Sequence, residues 1–315
     1  MLTVKIFISL LALLALANAE RQMHHLRHLL SGHIEDGHVE DLANSKSVPN
    51  IVERAMLRVK PDQTDGEISS RIIDGFDVQG VDNASYLVSL SLTRLTYTHQ
   101  CGGAIIGKRW VLTTAHCVLE LQNFNGGLIG TPIYAGLSNR KNVGEAQVRY
   151  VDFASSHRSF SGKAGSDNIA LLHVSESFVY SARVQQIALP DLYDDYSGKL
   201  ATVYGWGLTD VDGDAYSKEL QYGFATLLNS ISCAELLPTD APLSTNQVCA
   251  QVNACYGDGG TPLVYWPKDG VAELVGLGSW SYMPCGYANR PSVFTSVPSY
   301  VNWIYQVISA YYQLN

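Results

Sequence analysis

From Ile72 onward the chain alternates short apolar, β-branched and aromatic runs with clusters of Gly, Asn and Asp. Tyr86 to Leu92, Ala146 to Phe153, Ile169 to Val174, Leu200 to Tyr204 and Leu274 to Trp280 are runs of this kind. Such side chains suit a pleated surface, and the residues between them favour turns. Many short strands separated by turn signals predict an all-β sandwich or barrel. The period then changes near the end of the chain. After Pro298, the residues Val301, Ile304, Tyr305, Ile308 and Tyr312 recur on one helical face, which predicts an amphipathic C-terminal helix over Ser299 to Tyr312. Residues 72–315 are enough to bury a sizeable core.

The first 71 residues have a different texture. Residues 1–19 read as a secretory signal, with Lys5 at the start, an apolar run from Ile6 to Leu16 and the small-residue cleavage site Ala17-Asn18-Ala19. That run is shorter than the roughly 20 apolar residues a membrane span needs, and no later stretch approaches that length. The expectation is a soluble, exported, extracellular protein. Residues 20–71 are polar, poor in aromatics and end in Lys60-Pro61-Asp62-Gln63-Thr64-Asp65-Gly66, as a pro-segment would. Within them Ile51, Val52, Ala55, Met56 and Val59 recur at helical spacing and offer a face to a partner or to the main domain.

Composition narrows the functional classes. A formal charge of −8 and the lack of a basic block argue against nucleic acid or an anionic membrane as partner. Export permits disulfides, and the six cysteines, Cys101, Cys117, Cys233, Cys249, Cys255 and Cys285, are even in number. Their pairing cannot be chosen from the sequence alone. Asn83-Ala84-Ser85 is a glycosylation sequon, which makes Asn83 a candidate acceptor. Five of the nine histidines, His24, His25, His28, His33 and His38, crowd the pro-segment without cysteine partners, so they read as a solvated tail and no metal is assigned to them. Asp210-Val211-Asp212-Gly213-Asp214 lacks the spacing and terminal Glu of an EF-hand and reads as an acidic turn. No cofactor is expected.

Five ordered motifs then carry the chemistry. They are Arg71-Ile72-Ile73-Asp74-Gly75; Cys101-Gly102-Gly103-Ala104-Ile105-Ile106 with Thr114-Ala115-His116-Cys117; Asn168-Ile169-Ala170-Leu171-Leu172; Gly205-Trp206-Gly207; and Cys255-Tyr256-Gly257-Asp258-Gly259-Gly260-Thr261-Pro262-Leu263. Together they span 72–315, and the region resembles the chymotrypsin/trypsin family of serine proteases. The resemblance implies two packed six-stranded antiparallel β-barrels with a C-terminal helix and an active-site cleft between the barrels. It also implies the pairs Cys101–Cys117, Cys233–Cys249 and Cys255–Cys285. Trp206, Trp280 and Trp303 are expected in the core.

The catalytic positions that the resemblance maps onto this chain are degenerate. Acyl transfer in this family needs a hydroxyl nucleophile, an imidazole base, a carboxylate that holds the imidazole tautomer and backbone N–H donors for the oxyanion. His116 stands in its motif. Gly259 occupies the nucleophile position in an unshifted frame, and Asn168 occupies the carboxylate position. Replacing that Asp by Asn favours the wrong tautomer and costs about 10⁴-fold. Asp167 is adjacent and substitutes only if the loop slips. Thr261, two residues beyond Gly259, would have to reach the base to replace the nucleophile. Asn253 stands where trypsin-like members carry the aspartate that binds Lys or Arg, and Ser281 and Ser292 stand at two wall glycines, so a narrowed or blocked specificity pocket is expected. A neutral amide does not neutralise a buried cation.

Arg71, Ile72 and Asp258 match the family's activation switch, in which cleavage after the basic residue frees an ammonium that pairs with a buried carboxylate. The expectation is a non-catalytic protease homologue, processed at Arg71, that acts by binding proteins as a cofactor, decoy or scaffold in an extracellular proteolytic pathway. The partners would be extracellular proteases, their substrates or regulators. An enzyme with residual or unconventional hydrolysis is the first alternative, and a structural or reproductive-fluid secreted protein the second.

Overall fold

A computed structural model describes residues 76–77, 84–93, 96–162, 165–192, 194–208, 216–268, 270–282, 285 and 290–314, with Phe76 and Asp77 described as backbone. The signal, the pro-segment with its histidines and apolar stretch, Arg71, Ile72, the Asn83 sequon and the 210–214 turn lie outside the described residues.

A two-residue strand β1 (Phe76–Asp77) precedes two barrels. The first is built from β2 (Leu87–Ser91), β3 (His99–Gly107), β4 (Trp110–Thr113), β5 (Pro132–Ala135), β6 (Gln147–Ser156) and β7 (Ala170–Val174). These close in the order β2-β3-β4-β7-β6-β5, all neighbours antiparallel. The second comprises β8 (Leu200–Gly205), β9 (Gln221–Leu228), β10 (Gln247–Ala250), β11 (Pro262–Tyr265), β12 (Glu273–Trp280) and β13 (Ser292–Ser296). They run β9-β10-β13-β12-β11-β8, and the pairing of β8 with β9 closes the ring. β1 joins the outer side of β9, with Phe76 opposite Tyr222. Closure removes the open edges that would otherwise invite pairing with other chains.

Each barrel has its own interior, with Val88, Leu90, Ile105, Val111, Ile133 and Leu172 in the first and Val203, Ala225, Leu227, Leu263, Val275 and Phe294 in the second. A third cluster fills the seam between the barrels, where Leu87, Leu112, Leu171, Tyr204, Trp206 and Leu277 meet the C-terminal helix. Strands β2 and β7 are therefore buried on both faces. Ser89 and Ser91 in β2 and His173 in β7 are buried polar residues within these strands.

Among the described residues three α-helices complete the fold: α1 (Ala115–Asn125), α2 (Ser230–Leu236) and α3 (Val301–Leu314), the last preceded by a 3₁₀ turn over Val297–Tyr300. Val301, Ile304, Tyr305 and Ile308 face the seam as the periodicity predicts. Tyr312 does not; it is half exposed at the barrel edge, where its hydroxyl accepts a bond from Trp110 Nε1 at 3.3 Å. Of the tryptophans expected in the core, Trp206 is buried, whereas Trp280 and Trp303 are only partly covered. No described helix is long and apolar enough to cross a membrane.

The three disulfides are Cys101–Cys117, Cys233–Cys249 and Cys255–Cys285, closing separations of 16, 16 and 30 residues. A loop of that shorter size contributes about 3 kcal/mol by restricting the unfolded chain.

Candidate active site

The seam opens into a cleft where α1, the segment before β7, the 255–261 loop and β12 meet. His116 comes from the first turn of α1, directly after β4. Helix α1 buries Ala115, Cys117, Val118 and Leu121 against the first barrel, which turns His116 toward the second. Gly126 ends the helix at φ 65°, its N–H bonding to Gln122 O, a conformation that an L side chain resists. The facing loop is tied to β3, since Gly102 N–H donates to Gly259 O at 2.8 Å. The cleft encloses about 300 Å³, walled by His116, Tyr216, Gly257, Gly259, Trp280 and Ser281 among others.

Asn168, buried just before β7, is fixed on three sides. Its Oδ1 accepts from His116 N–H at 3.0 Å. Its Nδ2 lies 2.9 Å from His116 Nδ1 and 2.9 Å from Ser279 Oγ. A backbone N–H can only donate, so the amide orientation follows from the first contact and Nδ2 necessarily faces the ring. Burial pushes the His116 imidazole below the usual histidine range, opposed in part by the nearby Glu120 carboxylate. The ring lies close to Gly259. A Cβ at that glycine would lie 2.6 Å from His116 Nε2 and 3.4 Å from Cys117 Sγ, so a side chain there requires the ring to shift.

Neither neighbouring substitute reaches the imidazole. Asp167 adopts φ 62°, and its carboxylate is engaged by Ser166 Oγ at 2.8 Å, Tyr300 hydroxyl at 3.1 Å and His157 Nδ1 at 3.3 Å. Thr261 is buried and its hydroxyl donates to the Tyr204 carbonyl.

The pocket positions form one network. Ser281 Oγ lies 3.0 Å from Ser292 Oγ and donates to Ala254 O at 2.9 Å. Ser292 Oγ donates to Val252 O at 2.7 Å and accepts from Ala254 N–H at 3.0 Å. The two hydroxyls thus bar the space beside the 252–254 segment, on which Asn253 sits half-buried.

Asp258 is buried beneath the cleft, with Oδ1 accepting from Gly207 N–H at 2.9 Å and Oδ2 from Cys255 N–H at 3.0 Å. Burial still pushes its pKa up to about 6. A Cβ at Gly205 or Gly207 would collide with the carboxylate, so both glycines make room for it.

Two polar residues that sequence reasoning missed organise this site. Ser279 takes the second hydrogen of the Asn168 amide. His99, buried on β3, reaches Gly257 O with Nε2 at 2.8 Å and Ser89 Oγ with Nδ1 at 2.7 Å. Burial lowers the His99 pKa to about 4. The carbonyl can only accept, so Nε2 carries the hydrogen and Ser89 donates to Nδ1. His99 opens β3 between the polar residues Thr98 and Gln100, so no local pattern in the sequence marked it as buried.

Two closed antiparallel six-stranded barrels, a cleft at their junction and a C-terminal helix define the trypsin-like double-barrel class. The Trypsin family matches residues 72–304, and the chain belongs to it. It is 32% identical over 262 residues to the Lectizyme of Glossina austeni, covering 78% of this chain and 89% of that protein. It is 29% identical over 245 residues to the trypsin of Sus scrofa, covering 76% and 96%. A similar level, 29% over 242 residues, relates it to the Suppressor of tumorigenicity 14 protein homolog of Bos taurus, covering 75% of this chain and 28% of that protein.

Proposed function

We propose that this protein is a secreted pseudoprotease that binds protein partners without cleaving them, as a cofactor, decoy or scaffold in an extracellular proteolytic pathway. The observation that carries this reading is the position of His116. Its imidazole lies 2.6 Å from where a Cβ on Gly259 would be, so the space for a nucleophile is occupied by the base. Acyl transfer needs an attacking hydroxyl with a lone-pair nitrogen beside it. Here there is no hydroxyl at residue 259, Thr261 and Asp167 are committed elsewhere, and the Asn168 amide donates to Nδ1, which places the ring hydrogen on Nε2. A nitrogen that carries a hydrogen cannot accept one. The Ser281–Ser292 contact adds that no long basic side chain would enter the specificity pocket.

An activity-based fluorophosphonate probe is the direct test. The purified protein should remain unlabelled, and any turnover of peptide esters should be the same for wild type and His116→Ala. Labelling at a defined residue, or ester hydrolysis that falls when His116 is replaced, overturns the reading.

A further inference from the structure

The cleft around Gly259 is rich in hydrogen-bond donors. Because Asn168 Oδ1 is taken by His116 N–H, Nδ2 must donate to His116 Nδ1, which presents its lone pair. The ring proton therefore resides on Nε2, beside Gly259. Gly257 and Gly259 line the same cavity, and among the described residues neither backbone N–H meets an acceptor. Both glycines are pinned from the first barrel, Gly257 O by His99 Nε2 and Gly259 O by Gly102 N–H, each at 2.8 Å. Three donors thus line the cleft around Gly259, and the acceptor beside the ring hydrogen, Cys117 Sγ at 3.5 Å from Nε2, is a weak one.

We infer that this cleft is a receptor for the free C-terminal carboxylate of an extended peptide, held by Gly257 N–H, Gly259 N–H and His116 Nε2–H, with Asn168 as the positioning residue. The inference rests on the proposed binding role of the cleft and names its ligand. A carboxylate suits three donors better than a peptide carbonyl does, since its two oxygens offer about four lone-pair sites against two. Hydrogen bonds to an ionised acceptor are also roughly twice as strong as neutral ones. The hydroxyl bar of Ser281 and Ser292 leaves little depth beside the site, which selects a small terminal residue such as Gly, Ala or Ser. Glu120 also lines the cavity, but it is exposed and bonded to Gln100 Nε2 at 2.7 Å. Its repulsion is screened by solvent. Asp258 is turned into the Gly207 and Cys255 N–H groups. Peptides of this kind are what a neighbouring protease releases when it cuts after a small residue.

Calorimetric titration of the full chain with a synthetic peptide ending in Ala tests this, comparing the free acid, the C-terminal amide and a version ending in Phe. The acid should bind at least about tenfold more tightly than the amide, the loss expected for a hydrogen bond to a charged group. The Phe version should bind more weakly, and Ser281→Gly with Ser292→Gly should recover it. Asn168→Asp reverses the tautomer, because a carboxylate accepts from Nδ1–H and leaves a lone pair on Nε2. At pH 8 this variant should bind the acid about tenfold more weakly than wild type, and the deficit should shrink at pH 5.5 as the ring becomes imidazolium. The charged and titratable groups that line the cavity with that ring, Glu120 on α1, Asp258 and Tyr256 in the loop and Tyr216 across the cleft, are unchanged between the two proteins. Equal affinities for acid and amide, or no binding of any of the peptides, overturn the carboxylate receptor and leave the non-catalytic reading standing. Hydrolysis of the amide would instead sink the non-catalytic reading.

Discussion

At residue 259 the His116 ring takes the space that a side chain would need. In an enzyme of this family an imidazole receives the proton of a serine; here the ring lies within 2.6 Å of the position a Cβ would take on the glycine. Restoring the hydroxyl alone should therefore not restore catalysis. Gly259→Ser should destabilise the protein by about 1–3 kcal/mol, as expected for overpacking, which a urea melt would report. Its fluorophosphonate labelling should remain slow because Nε2 still carries a hydrogen. Adding Asn168→Asp supplies the tautomer, and the double variant should label about 10⁴-fold faster than Gly259→Ser. Equal rates for the two would mean that Asn168 does not control the tautomer.

Among elements, α1 matters most, since it delivers His116 and half of the Cys101–Cys117 bridge to the seam. Its end depends on the left-handed Gly126, where a Cβ meets no other atom and only the backbone conformation opposes it. Gly126→Ala should cost about 1–2 kcal/mol in chemical denaturation, with the peptide affinities of the cleft unchanged. This element was the largest part of the fold that patterning missed. Val118 and Leu121 are too few to stand out against the strands around them. The barrels were more legible. Runs such as Leu200 to Tyr204 became strands nearly as read, because β-branched and aromatic clusters bounded by turn residues have few other ways to satisfy their backbone. Trp280 and Trp303 misled because a bulky aromatic reads as core, although it can equally wall a cleft or cover a helix flank.

Over the whole molecule, two buried groups on opposite sides of the seam oppose each other in their response to pH. The Asp258 pKa rises to about 6, so the folded state holds that proton more tightly than the unfolded chain does, and the stability it provides below pH 4 is lost as pH rises through 6. The His99 pKa falls to about 4, so its contribution is present above pH 6.5 and is lost as pH falls through 4. Each shift is about two units, on the order of 3 kcal/mol, and the two slopes cancel across pH 4 to 6. Asp258→Asn should unmask the histidine, so that this variant loses stability on acidification through that interval while wild type changes little. An ammonium freed by cleavage after Arg71 and paired with Asp258 would remove the same slope. Protein cut at Arg71 should then resemble Asp258→Asn in its pH profile and gain hydrogen-exchange protection at 205–208 and 255–261. Identical profiles and protection for cut and uncut protein would exclude the switch.

The sequence by itself determined the family, through five motifs whose order over 72–304 few other folds could share, together with the identities of Gly259, Asn168 and Asn253 and the cysteines that the resemblance pairs. Those are matters of covalent chemistry and local spacing, readable along the chain. Only the tertiary structure decided that the His116 ring fills the place beside Gly259, that the Asn168 amide faces the ring through Nδ2, that Asp167 turns to His157 and Tyr300, and that Ser281 touches Ser292. Asn168 meets its partners 52 and 111 residues away in sequence. Orientation at such a point is set by which donors and acceptors the packed barrels bring within about 3 Å, a distance that no local pattern encodes.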